Sequence, residues 1–362
     1  MKKRSVSFFQ VNNGNCSLVC VDEMRLIFDL KGTENQTSWD LLKNYLPQKD
    51  GKRILDVLCI SHGEKDHCGG FSEWKEKIDN DELIIGSIWH QDYDRTKFED
   101  IKDLPEDYLA LQKEINRRRQ LGSDVFGEIE IPLKGRDDEN VAFKGLQIPQ
   151  NVAIKVLNPH DNDAGSPDWD KNDLSLVINL EISDLTILFS GDSGAKAWQE
   201  RILPNILEKN STKDWARSIL LIASHHGSFT FFGRSREEVR DSIDPPENYE
   251  SLEYIKPQNL IISANSRFPL SGDQSGEQPP HYAAWKWYHK WFIENNEVQE
   301  EEKHPEQFKY TADGHLRIEL GDDGWQWTDD WSPDDDGDNG QKKGFIYRGG
   351  VTDRGGSEYA KK

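Results

Sequence analysis

The chain of 362 residues carries 66 acidic against 45 basic side chains, a formal net charge of −21, and is long enough to bury a full core as one large domain or two smaller ones. So acidic a chain does not present a broad surface that grips nucleic acid or anionic lipid, although a local basic or metal-lined groove stays open to it. No apolar run approaches the roughly 20 residues of a membrane span, and Met-Lys-Lys-Arg is followed by Ser-Val-Ser-Phe-Phe-Gln rather than a signal-peptide core, so the expectation is a cytoplasmic protein with no membrane partner.

Three strands open the chain, Ser5 to Val11, Cys16 to Val21 and Arg25 to Leu30, joined by polar turns into a meander. A helix from Ser38 to Tyr45 carries Trp39, Leu42 and Tyr45 at helical spacing and stops before Pro47. The apolar strand Ile54 to Ile60 then runs into Ser61-His62-Gly63-Glu64-Lys65-Asp66-His67-Cys68-Gly69-Gly70. A strand-to-loop turn gathers His62, Glu64, Asp66 and His67 around one point, which is how a metal site is built, and the two glycines let the next helix, about Ser72 to Ile78, start close by. Leu83 to Trp89 is a further strand.

Residues 92 to 140 read as an insertion over the active face, with a helix opened by Pro105, carrying Leu109, Leu111 and Ile115, and closed by Gly122. Its Arg117-Arg118-Arg119 run reads as a solvated helix face, with contact to backbone phosphates as the alternative. Strand Val152 to Leu157 leads into Asn158-Pro159-His160. Strands Leu174 to Leu180 and Leu185 to Phe189 end in Ser190-Gly191-Asp192-Ser193, and a helix from Ala195 to Leu207 is interrupted by Pro204. Strand Ser218 to Ala223 ends in Ser224-His225-His226-Gly227-Ser228. After strand Asn259 to Ser263 come a Pro/Gly/Ser-rich loop, His281 and an aromatic helix over 283–293, whose tryptophans read as core rather than as a base-stacking platform. Leu316 to Leu320 alternates as a last strand, and the acidic segment Asp334 to Gly340 reads as a flexible linker into a tail. Cys16, Cys20, Cys59 and Cys68 form no CxxC pair and read as small buried hydrophobes, Cys68 lying beneath the metal loop rather than ligating.

Three apolar strands thus end in loops that set His or Asp beside Gly, and a fourth ends in Pro159-His160. That repetition points to one shared polar site rather than to scattered core histidines.

These residues resemble the metallo-β-lactamase fold superfamily, and within it the hydrolase domain of the ComEC-type competence proteins. The HxHxDH motif stands here as His62-Gly63-Glu64-Lys65-Asp66-His67, with Glu64 as the departure shared by that branch. Pro159-His160, Ser190-Gly191-Asp192 and Ser224-His225-His226-Gly227-Ser228 are similar to its later motifs. Phe9 to Asn15 resembles its opening VGQGD, with Asn15 where Asp is usual, and Asp29-Leu30-Lys31-Gly32 resembles the DxG that follows. The resemblance implies an α/β fold, an αββα sandwich of two facing sheets with helices outside, over residues 1–327, with residues 328–362 as acidic linker and tail.

It also implies two divalent ions, Zn²⁺ or Mn²⁺. One would be held by His62, Glu64 and His160, the other by Asp66, His67 and either His225 or His226, with Asp192 bridging. Two such ions against three carboxylates leave the site about one charge positive, suited to an anionic substrate, and they lower the pKa of a bridging water toward roughly 7. Asp66 and His281 are the candidate catalytic residues, His281 as donor to a leaving oxygen. The expected activity is metal-dependent phosphodiester hydrolysis, with DNA, RNA or a nucleotide as partner. A small phosphoester or lactone substrate, or a non-catalytic metal-bearing module that engages a protein through the insertion or tail, are the alternatives.

Overall fold

In strand β3 (Met24–Leu30) successive side chains point to opposite faces, so Leu26 and Phe28 enter one apolar layer and Ile27 the other, and the irregularity at Asp29 (φ 57) then turns Leu30 to the side of Ile27. A strand buried on both faces belongs to a sheet covered on both sides, and the computed structural model has that arrangement. It describes residues 4–91, 94–97, 99–121, 129–132, 148–159, 169, 171–209, 214–272, 276–321, 323–328 and 331.

Strands β1 (Arg4–Phe8), β2 (Cys16–Val21) and β3 form the expected antiparallel meander. The short β4 (Gln48–Lys49) pairs with the start of β5 (Lys52–Ile60), and β5 runs parallel to β3 and to β6 (Leu83–His90), with β7 (Ile129–Pro132) beyond it. The second sheet consists of β8 (Val152–Asn158), β9 (Val177–Ile182), β10 (Leu185–Phe189), β11 (Leu220–Ile222), β12 (Asn259–Ile262) and β13 (Phe308–Tyr310), in the spatial order β13-β12-β11-β10-β9-β8. The chain then returns to the first sheet, where β14 (Leu316–Gly321) pairs with β1 and β15 (Gly324–Thr328) closes the edge.

Between the sheets lies an apolar layer in which Val6, Val19, Leu26 and Val57 face Val156, Ile178, Leu180 and Ile187. Phe28 and Phe189 stack across it with ring centroids 3.9 Å apart. The outer face of the first sheet is covered by α1 (Ser38–Leu42), α2 (Lys65–Cys68), α3 (Phe71–Asp79) and α4 (Glu106–Leu121), which bring Trp39, Phe71, Trp74, Leu111 and Ile115 onto Ile27, Leu58 and Ile85. Trp74 is fully buried, a contribution of about 2–3 kcal/mol by area. On the second sheet, α5 (Ala195–Ala197) passes through the π turn Trp198–Ile202 into α6 (Leu203–Lys209), followed by α7 (Arg236–Asp241), α8 (Ser251–Ile255) and α9 (Tyr282–Asn295). The fold is therefore mixed α/β in four layers, the expected αββα sandwich.

Pro204 does not interrupt its helix: the ladder widens into the π turn just before it, and the helix continues to Lys209. Leu174 to Leu176 precede β9 instead of belonging to it, because the Leu176 amide donates to Ser61 in the loop that follows β5. The aromatic residues of α9 are core: Trp287, Tyr288, Trp291 and Phe292 are buried in the outer layer, and the Trp287 indole donates to the Val239 carbonyl. All four cysteines are buried, and none takes part in a disulfide. The stretches 122–128, 133–147 and 332–362, which take in much of the expected insertion and tail, lie outside the described residues, as does His160. No helix among the described residues is long and apolar enough to cross a membrane.

Candidate metal centre

Strands β3 and β5 are parallel, as are β10, β11 and β12, so their C-terminal ends meet at one rim of the sandwich. Asp29 is the penultimate residue of β3, Ser61-His62 follows β5, Ser190-Gly191-Asp192 follows β10, Ser224-His225-His226 comes one residue after β11, and Ser263 follows β12. Hydrogen bonds tie these loops together across the two sheets. The Leu176 amide donates to Ser61 (2.9 Å), the His225 amide to Gly191 (3.1 Å), and the Ser263 hydroxyl to Gly14 (2.6 Å). Gly191 adopts φ +51, and a Cβ there would lie 3.0–3.1 Å from Ser175, Leu176 and Ser61, so glycine lets the Asp192 turn close against the metal loop.

The imidazoles share one design. The Nδ1 of His67 bonds the Asp29 carboxylate (2.8 Å), leaving its Nε2 facing Asp192 Oδ1 at 3.0 Å. His226 donates Nδ1–H to the Ser263 carbonyl (2.9 Å), with Nε2 3.3 Å from Asp66 Oδ2. His62 has the Ser61 hydroxyl 3.2 Å from Nδ1, and its Nε2 lies 3.3 Å from Glu64 and 3.7 Å from Asp192. His225 has Thr230 Oγ1 3.3 Å from Nδ1 and Asp192 Oδ2 3.6 Å from Nε2. Four rings thus have a polar group at Nδ1 behind them while each Nε2 looks toward one or two of the carboxylates Glu64, Asp66 and Asp192, which is how proteins orient histidine ligands.

Asp66, His67, Asp192 and His226 bring four ligand atoms within 4.8 Å of one another, and His62, Glu64 and Asp66 form a second such group. Both oxygens of Asp192 and the Nε2 of His67 are buried, and apart from the 3.0 Å approach of Nε2 to Oδ1, whose geometry is not that of a hydrogen bond, they have no hydrogen-bond partner. Polar atoms in that condition destabilise a fold unless something else satisfies them. The donor set, imidazole nitrogen plus carboxylate oxygen, fits a divalent ion such as Zn²⁺ or Mn²⁺. The charge pattern agrees. Burial opposes a charge on His67, yet Asp192 and Asp29 on its two sides raise it well above the usual imidazole range. Burial likewise opposes ionisation of Asp66 and Asp192, yet the surrounding histidines hold both below the usual carboxylate range.

His226 is the buried member of the pair and belongs to the four-atom cluster, whereas His225 lies toward the opening. Both adopt left-handed backbone, φ 57 and 48, and the following Gly227, at φ +83, packs so closely that a Cβ would lie 2.8 Å from Phe268. His281 caps α9, with Nε2 donating to the Glu277 carbonyl (3.0 Å) and Nδ1 accepting from the Phe229 amide (3.4 Å). With both ring nitrogens engaged by backbone, it has no free proton to offer a leaving group in this conformation, contrary to the sequence expectation.

Several residues of the site were not singled out from the sequence. Asp29 is the chief of them: its carboxylate accepts from the Ser61 amide (2.7 Å) and hydroxyl (2.9 Å) as well as meeting His67. Its place in the Asp29-Leu30-Lys31-Gly32 stretch was the available signal. Lys171 was missed entirely, and its ammonium lies 2.6 Å from Glu64 Oε1. Burial would raise the Glu64 carboxyl, but His62 and Lys171 beside it bring it down to about 2. Above the loop, Arg95 donates to the Gly63 carbonyl and pairs with Glu99, while Tyr108 of α4 packs against Gly63. The arginine run differs from its expected solvated face: Arg118 is buried, and both it and Arg117 pair with the buried Glu114 at 2.8 and 2.6 Å.

Fold and site together define a mixed α/β sandwich with a carboxylate–imidazole cluster, suited to a divalent ion, at the rim between its sheets. No family model matches the chain, and no curated protein matches it. Among solved structures, the metallo-β-lactamase fold protein YhfI from Bacillus subtilis is similar at 12% identity and a TM-score of 0.38, covering 72% of this chain and 85% of that one. Human short-form tRNase Z gives 12% identity and 0.36 over 71% of this chain and 91% of its own. A diphosphatase from the PhnP family gives 10% and 0.40 over 88% and 99%. At these identities and scores the likenesses say nothing about what this chain acts upon.

Proposed function

We propose that this protein is a metal-dependent hydrolase of phosphodiesters. The observation that carries the reading is the set of histidines held at Nδ1 with each Nε2 turned toward one or more of the carboxylates Glu64, Asp66 and Asp192, together with the buried oxygens of Asp192 and Nε2 of His67, which no well-formed hydrogen bond satisfies. A divalent ion bound there supplies an activated water and polarises the bond to be broken. Asp192, fully enclosed, would hold the ion together with His67, His226 and Asp66, and Asp66, about a third exposed, is the member of the set that faces the opening. Asp29 and Ser263 fix the ring orientations from behind.

The test is turnover of a chromogenic phosphodiester, single- and double-stranded DNA and RNA with Mn²⁺ or Zn²⁺, in wild type beside Asp66→Ala and Asp192→Ala. Absence of turnover that depends on both the ion and these carboxylates refutes the proposal. Within it, a small phosphoester or nucleotide is supported over a long polyanion by one observation: Arg117 and Arg118 are engaged by Glu114, so no arginine stripe is available on α4 to track a phosphate backbone. A panel of mononucleotide and cyclic phosphodiesters against oligonucleotides separates the two.

A further inference from the structure

The two candidate ligand groups at this rim are not equivalent. Asp66, His67, Asp192 and His226 close on one another, and the bases beside Asp192 are imidazoles: His67 at 3.0 Å within the group, and His225 and His62 at 3.6 and 3.7 Å outside it. In the other group, Glu64 already has a cation: the Lys171 ammonium lies 2.6 Å from Oε1, while His62 approaches Oε2 at 3.3 Å. Glu64 stands at the N-cap of α2, yet its side chain does not cap that helix. Its carboxylate is turned instead toward His62 and Lys171.

Nor is Lys171 a loose surface lysine. Its side chain is about three-quarters buried, and its backbone is fixed from two directions. The Gln91 amide, in the orientation that satisfies both its ends, donates to the carbonyl oxygens of Lys171 (3.3 Å) and Leu174 (2.7 Å). The turn continues with the Ser175 amide donating to Asn172 (3.0 Å) and the Leu176 amide to Ser61 (2.9 Å), which anchors it to the metal loop itself. An ammonium held in this way competes with any second ion for the same carboxylate, because like charges in a half-buried site raise each other's energy.

We infer that this chain binds one divalent ion tightly, at Asp66, His67, Asp192 and His226, and that Lys171 takes the place of a second ion at Glu64. The inference rests on the metal-dependent reading above and narrows it to a one-ion centre with a fixed ammonium beside it. Lys171 then has a positioning role toward Glu64, and its ammonium, about a quarter exposed, is a fixed positive charge beside the ion for an anionic substrate group.

Metal stoichiometry tests this without reference to turnover. Mn²⁺ and Zn²⁺ titrations followed by calorimetry and elemental analysis should give one tight equivalent for wild type and for Lys171→Arg. Lys171→Met should bind a second equivalent at least tenfold more tightly than wild type does. Glu64→Gln should keep the tight ion, and the Glu64→Gln/Lys171→Met double variant should lose the added equivalent. Two equally tight ions in wild type, unchanged in Lys171→Met, overturn the inference and leave the metal reading intact. Absence of any tight ion in wild type, with Asp192→Asn behaving the same, overturns both.

Discussion

Asp29 tests the logic of the site most sharply, because one carboxylate holds three groups and none of them is a substrate. Its two oxygens accept from the Ser61 amide and hydroxyl and from His67 Nδ1 at 2.7–2.9 Å, all in a buried setting. Asp29 also sits at φ 57, a conformation that Asn tolerates as well as Asp does. Asp29→Asn can therefore keep an oxygen on the Ser61 amide without backbone strain, but it presents an NH₂ to His67 Nδ1. That ring must then accept at Nδ1 and carry its proton on Nε2, which removes the lone pair aimed at Asp192. The expected result is a loss of roughly 10- to 100-fold in metal affinity with a change in stability of no more than about 1 kcal/mol. Asp29→Ala leaves the Ser61 amide and the His67 N–H without an acceptor, at about 1–3 kcal/mol each, and adds about 1 kcal/mol for a left-handed residue without a polar side chain. Urea unfolding in chelator, paired with Mn²⁺ titration, measures the two effects separately. If Asp29→Asn binds metal as wild type does, the account of how His67 is oriented is wrong.

Three further outcomes follow from the same contacts. Gly227→Ala places a Cβ against Phe268 at φ +83 and should cost about 3 kcal/mol in urea unfolding from strain and overpacking combined, with loss of the neighbouring His226 geometry seen as weakened metal binding. Chelation of wild type should lower stability by about 2.7 kcal/mol relative to protein held at a hundredfold excess of ion over Kd, and Asp192→Asn should show no such shift. Burial would raise the Glu114 carboxyl, but Arg117 and Arg118 hold it below its usual range, so its contribution is present above the unfolded pKa of about 4.3 and is lost as pH falls through the folded value. Glu114→Gln should thus be about 3 kcal/mol less stable than wild type at pH 7, and the gap should close below about pH 4; a constant gap across the range would refute the pairing.

What the sequence disclosed depended on whether chemistry and chain position coincided. That His62 to His67, Asp192 and the His225-His226 pair come together was legible because each follows closely on an apolar strand, and parallel strands bring such ends to one rim. The core role of the aromatic helix was legible for a similar reason, since its spacing is that of one buried face. Lys171 was not legible: it lies in a polar stretch with no periodicity, and only the Gln91 and Ser61 hydrogen bonds bring it to Glu64. The arginine run misled because three adjacent like charges read as solvent-facing, whereas Glu114, three and four residues earlier, sits at the helical spacing that lets it pair with Arg117 and Arg118. His281 misled in another way, as a histidine in a suggestive place whose ring is needed to tie two loops together.

The charges around the opening bear on the substrate more directly than the fold does. A single divalent ion with Lys171 just offsets Glu64, Asp66 and Asp192, so the one-ion centre is locally close to neutral where a two-ion centre would be positive. Arg95 is taken up by Glu99, and Arg117 and Arg118 by Glu114. The positive charge near the site is therefore largely matched within the chain, and the remainder of the molecule is strongly acidic. Long nucleic acids are drawn in by fields that extend over many phosphates, and such a field requires unmatched cations outside the pocket. A short phosphodiester needs only the few groups at the opening, where the ion and Lys171 act at contact distance and solvent screening counts for least. The same pairing that removes the second ion thus argues for a small substrate recognised by its local chemistry.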